Sequence, residues 1–109
     1  MTTNTCVLVA IGRVEDVPMY EGRAVSVEGR RLAVFRTDTG FHAISAECPH
    51  KKGPLADGLV GGDTVTCPLH ARRFDLVTGK AVSGGDGCDS VEVFTVVERD
   101  GWLYIELGD

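Results

Sequence analysis

The chain has 109 residues, 43% of them hydrophobic and 25% charged, a length that suits one compact domain, 1–109, and a composition that excludes a disordered or fibrous chain. Its formal net charge of −5 argues against a general affinity for nucleic acid, whose phosphates require a basic surface. No apolar run approaches the roughly 20 residues that span a bilayer, and the start Met1-Thr2-Thr3-Asn4-Thr5 lacks the basic residues of a secretory signal, so the expectation is a cytoplasmic protein with no membrane partner.

Short segments rich in β-branched and aromatic residues recur between Gly and Asp punctuation, and no stretch sustains a 3.6-residue apolar repeat. The pattern predicts an all-β fold. Taken in order, the predicted strands are Cys6–Gly12, Ala24–Val27, Arg31–Thr37, Gly40–Ser45, Val65–Thr66, Arg73–Asp75, Val91–Val97 and Trp102–Leu107. Cys6 falls in the first as a buried structural thiol. Asp16 to Gly22 mixes acids, Pro18 and Gly22, which predicts a loop or a brief helical turn. Thr37-Asp38-Thr39-Gly40 reads as a turn, and His42, just beyond it, stands without a ligand partner at suitable spacing and is expected to be structural or at the surface. The last two strands form a hairpin across Asp100-Gly101, a pair that accepts the positive backbone angles of a tight turn. Phe74, Phe94, Trp102 and Tyr104 fall in strands and are assigned to packing.

Four cysteines without a secretion signal suggest metal ligation before disulfides. Cys48-Pro49-His50 and, sixteen residues on, Cys67-Pro68-Leu69-His70 each supply one thiolate and one imidazole. A two-iron, two-sulfide core needs four terminal ligands, and two Cys on one iron with two His on the other is the Rieske arrangement. Pro49 and Pro68 stiffen the two short loops. Two ferric irons, two sulfides and two thiolates sum to zero, so such a core accepts an electron more readily than an all-thiolate one, at about −150 to +300 mV against roughly −400 mV for plant-type clusters. A structural Cys2His2 zinc site or a metal-free interaction module is the alternative, but zinc fingers usually pair Cys with Cys and His with His, whereas each loop here mixes the two.

These residues resemble the Rieske ferredoxin-like family over nearly the whole chain. The likeness includes Cys48-Pro49-His50-Lys51-Lys52-Gly53-Pro54-Leu55, Asp57-Gly58, Val65-Thr66-Cys67-Pro68-Leu69-His70, Phe74-Asp75 and Thr78-Gly79. The resemblance implies stacked antiparallel β-sheets, with a [2Fe–2S] cluster at a tip formed by two loops within about 46–76. Cys48 and Cys67 would anchor the inner iron; His50 and His70 would hold the outer iron towards solvent or partner. High-potential members carry an extra Cys in each loop, joined as a disulfide. Lys51 to Gly53 and Leu69 offer no thiol, which points to the soluble, disulfide-free subtype.

Within that subtype, Thr78-Gly79-Lys80-Ala81-Val82 and Gly84-Gly85-Asp86-Gly87-Cys88 look most like the small subunit of NAD(P)H-dependent nitrite reductase. Dioxygenase ferredoxins tend to carry a proline-bearing loop there, and this chain has no proline after Pro68. The resemblance implies a large partner subunit bearing flavin, sirohaem and a [4Fe–4S] cluster; the alternative partners are an oxygenase and its reductase. No nucleophile, base and pocket are assembled, so turnover in isolation is not expected. Cys88 reads as an ordinary free cysteine in its Gly-rich surroundings. Lys51, Lys52, Arg72 and Arg73 against Asp57 and Asp63 make segment 48–73 formally +2 and the remainder −7. A locally basic tip would steer the chain to an acidic patch on a redox partner.

Overall fold

The computed structural model describes residues 7–46, 55–67, 73–83 and 91–107. Among the described residues, ten strands and two short 3-10 turns follow in chain order: β1 Val7–Arg13, a turn at Val14–Asp16, β2 Gly22–Val27, β3 Arg30–Thr37, β4 Gly40–Ser45, a turn at Leu55–Asp57, β5 Leu59–Gly61, β6 Thr64–Thr66, β7 Arg73–Asp75, β8 Ala81–Ser83, β9 Val93–Arg99 and β10 Trp102–Leu107. The fold is all-β, as the composition of its short segments predicts. Among the described residues no helix is long and apolar enough to cross a membrane.

The strands form two antiparallel sheets. Six of them make a base in the order β1-β10-β9-β4-β3-β2, and four make a smaller sheet in the order β5-β6-β7-β8. Hairpin turns fix the registers. Val27 pairs Arg30 across Glu28-Gly29, and Arg99 pairs Trp102 across Asp100-Gly101. In both, the two central residues have positive φ (51° and 80°, then 54° and 83°), the geometry whose twist matches the flanking strands. The predicted helical turn lies slightly earlier than expected, at Val14–Asp16, because the Asp16 carboxylate accepts the Arg13 N–H at 3.0 Å and closes the chain there.

Two apolar clusters hold the layers. Val17, Val27, Leu32, Val34, Ala43, Leu103 and Ile105 fill the base. Ala33, Phe35 and Ile44 of the base meet Leu55, Val65, Cys67, Phe74 and Leu76 in the second cluster, so the small sheet sits on the base through a dry interface. Alternation along β3 explains the split: Leu32 and Val34 point into one cluster, Ala33 and Phe35 into the other.

β5 and β8 are strands that the sequence pattern did not predict. Each is three residues long and extends a ladder that a neighbour offers: Leu59 pairs Thr66, and Ala81 pairs Phe74. Phe74 is fully buried, as expected. Trp102 is instead 39% exposed, and its ring is covered by the Arg13 guanidinium at 5.3 Å.

Candidate metal centre

Of the four predicted ligands, Cys67 lies within the described residues, while Cys48, His50 and His70 lie outside them, as do Cys6 and Cys88. Cys67 is a free thiol and only 1% exposed. It follows β6 directly, and the strand's alternation turns Val65 and Cys67 inward together, against Leu55 and Phe74.

Both predicted ligand segments spring from closed roots. The segment 47–54 leaves from Ala46 and returns at Leu55, and the Leu55 N–H donates to the Ala46 carbonyl at 2.9 Å. The segment 68–72 begins after Cys67 and returns into β7, where Thr66 pairs Arg73. The two roots touch at Gly58. Its N–H donates to the Leu55 carbonyl at 2.9 Å, and a Cβ built on it would collide with the Thr66 carbonyl oxygen and stand 2.8 Å from Val65 Cγ2. No larger residue allows the chain leaving the first loop to lie against the strand that carries Cys67. A buried, unbridged thiol stands where two loop roots converge, and a thiolate is the donor an iron–sulfur centre takes.

Beside this root, Asp75 organises the next turn. Its Oδ1 accepts from the N–H groups of Val77 and Thr78 at 2.7 and 3.0 Å, and its carbonyl accepts from Gly79 N–H at 2.8 Å. Gly79 has φ 79°, and its carbonyl accepts the Val91 N–H at 2.7 Å, joining β7's exit to β9. The Phe74-Asp75 and Thr78-Gly79 pairs of the sequence thus have a mechanical meaning: one residue packs the core, one caps a turn, and the glycine permits it.

A polar cluster that the sequence did not reveal lies at the other end of β6. Asp63 Oδ1 accepts from Thr37 Oγ1 at 2.8 Å and from Thr39 Oγ1 at 2.9 Å. His42 Nε2 stands 2.9 Å from Thr39 Oγ1, 3.2 Å from Thr37 Oγ1 and 3.7 Å from Asp63 Oδ1. The two hydroxyl donors, aided by the His42 charge when protonated, hold the Asp63 carboxyl below its usual value. Asp63 therefore faces the β3–β4 turn, although sequence alone groups it with the charges of the ligand loops. His42 is structural, as expected, and it has polar partners. Its signal was invisible in sequence because Asp63 lies 21 positions away.

Two packed antiparallel sheets with a buried thiol at the end of β6 define a small all-β domain. Residues 7–95 match the Rieske [2Fe-2S] domain, and the chain belongs to that family, with a Rieske-type [2Fe–2S] cluster as its cofactor. It is similar to the 3-phenylpropionate/cinnamic acid dioxygenase ferredoxin subunit of Photorhabdus laumondii, 36% identical over 98 residues that make up 88% of this chain and 90% of that one. It is also similar to nitrite reductase [NAD(P)H] of Emericella nidulans, 38% identical over 85 residues, 71% of this chain but 8% of that protein. In three dimensions it resembles the ferredoxin of Sphingomonas yanoikuyae B1, with a TM-score of 0.82 and 29% identity, covering 93% of this chain and 99% of the other. The chain spans 65% of the length of the naphthalene 1,2-dioxygenase/salicylate 5-hydroxylase ferredoxin component of Ralstonia sp. that it matches.

Proposed function

We propose that Cys48, His50, Cys67 and His70 hold the cluster and that the chain passes single electrons as the small subunit of an NAD(P)H-dependent nitrite reductase in the cytoplasm. The cluster supplies a one-electron couple when bound. The chain's own residues have three tasks. Cys67 brings a thiolate from the core, Gly58 lets the two loop roots meet, and the apolar cluster of Ile44, Leu55, Val65 and Phe74 keeps water from the inner side. The basic stretch 48–73 complements an acidic face on the large subunit.

The observation that favours nitrite reductase is the 38% identity to the Emericella enzyme across 71% of this chain. A second reading, a ferredoxin serving an oxygenase, is favoured by the 36% identity to the Photorhabdus ferredoxin subunit over 90% of that protein. Reconstitution separates them. Purified holoprotein mixed with a sirohaem nitrite reductase large subunit is expected to support nitrite-dependent NAD(P)H oxidation that neither component shows alone, and Cys67→Ser is expected to abolish both this activity and the Rieske paramagnetic signal. Electron delivery to an aromatic-ring oxygenase, with none to the large subunit, would establish the second reading instead.

A further inference from the structure

We infer that Asp63, with Thr37, Thr39 and His42, is a positioning latch that sets the spacing of the two strands from which the ligand loops leave. The inference rests on the assignment of Cys67 as a ligand. The two ligand-bearing loops follow β4 and β6, which belong to different sheets and share no ladder. Near the ligand end they are tied by the apolar core, where Ile44 of β4 shares a cluster with Val65 and Cys67. At the far end the tie is polar. His42 lies on β4, Thr37 and Thr39 flank the turn that begins it, and Asp63 immediately precedes β6.

Proton accounting makes the cluster directional. Each threonine hydroxyl has one proton, and both are donated to Asp63 Oδ1. The 3.1 Å contact between the two hydroxyls is then left without a proton, and His42 Nε2, at 2.9 and 3.2 Å from the same oxygens, can approach them only as a donor. The geometry therefore assigns the proton of neutral His42 to Nε2. The Thr39 N–H gives Thr37 Oγ1 a further donor at 3.3 Å. Thr37 is 2% exposed, the one polar residue in the buried set among the described residues, so its hydroxyl loses water on folding and needs this partner. Asp63 also grips the small sheet from the other side, because its carbonyl accepts the Leu76 N–H at 2.7 Å. One residue thus joins the β3–β4 turn, the start of β6 and the exit of β7. From Asp63 to Cys67 is four residues of extended chain, about 13 Å, with no turn between to absorb a shift.

The test uses holoprotein carrying Asp63→Ala, Asp63→Asn, His42→Ala or His42→Gln. Positioning predicts that Asp63→Ala and His42→Ala lose the cluster to a chelator about tenfold faster than wild type and change the shape of its paramagnetic spectrum and its reduction potential. Asp63→Asn keeps an oxygen acceptor and His42→Gln keeps a nitrogen donor at the Nε2 position, so both are expected to return the wild-type spectrum. A purely stabilising role would lower the unfolding midpoint and leave the spectrum and potential of the bound cluster unchanged; that result overturns the inference. If Asp63→Ala purifies without a cluster, Thr39→Val, which removes one of the two hydroxyl donors, provides the same comparison. Retention of the wild-type signal in Cys67→Ser would sink the ligand assignment separately from the latch.

Discussion

Gly58 is the residue on which the roots of the two proposed ligand loops depend together. It needs no unusual backbone angle; its requirement is proximity, since a methyl group would meet the Thr66 carbonyl, Val65 Cγ2 at 2.8 Å and the Leu55 carbonyl at 3.1 Å. The first and last of these are backbone atoms, and Thr66 is fixed by pairing with both Leu59 and Arg73, so the strain cannot be relieved by a rotamer change. Overpacking of this kind costs about 1–3 kcal/mol. Gly58→Ala is therefore expected to express as a folded protein of lowered melting temperature with markedly less iron per chain, measured by metal analysis against wild type. Wild-type iron content would show that the two roots tolerate separation. Cys67 and Gly58 both stand out in the sequence as parts of a motif, the first as a proposed ligand. Why the glycine is needed becomes visible only in the packing. Asp63 was legible as a charge and nothing more, because its donors lie 24 and 26 positions away on another sheet.

At the scale of elements, most strands were readable from their β-branched and aromatic content, and Leu59–Gly61 and Ala81–Ser83, each added to a neighbour's ladder, were not. Gly40–Ser45, Arg73–Asp75 and Trp102–Leu107 have the bounds their composition predicts, and the last hairpin turns where Asp100-Gly101 requires. β9 begins at Val93, two residues later than expected, because the Val91 N–H is committed to Gly79 and the Glu92 carbonyl to Ser45 N–H. The β7–β8 connection depends on one carboxylate that accepts two successive N–H groups, a local cap that competes with no other structure. Replacing it in Asp75→Ala leaves both donors to water and is expected to cost ~1 kcal/mol. For a chain of this size that lowers the melting temperature by about 4 °C, while a calorimetric scan should still show one cooperative transition. An unchanged melting temperature would mean that Lys80 O–Asp75 N pairing alone sets the turn.

For the whole molecule, the consequence of building a metal domain from two sheets is that, among the described residues, their union has an apolar part and a polar part that titrates. The apolar part, from Ala33 and Phe35 to Leu55 and Leu76, holds no carboxylate or imidazole among the described residues. The polar part centres on Asp63, whose carboxyl is held low by the Thr37 and Thr39 hydroxyls and then by His42, with Tyr20 and Asp38 as the other titratable groups nearby. The Tyr20 phenol is raised, chiefly by its bond to Asp38, and stays neutral through the acid range. A folded-state pKa below the unfolded one means stability that is complete above the ordinary carboxylate value and is lost as pH falls through the lowered one. Asp63→Asn keeps the acceptor oxygen but not the charge, and a hydrogen bond to a charged acceptor is the stronger. The variant is therefore expected to melt below wild type at pH 7 by a gap that stays constant to pH 5 and narrows below about pH 4. Taking the difference between the two proteins cancels the acid lability of the cluster ligands, which both share. A gap that does not change with pH would mean that the carboxylate's charge plays no part in joining the sheets.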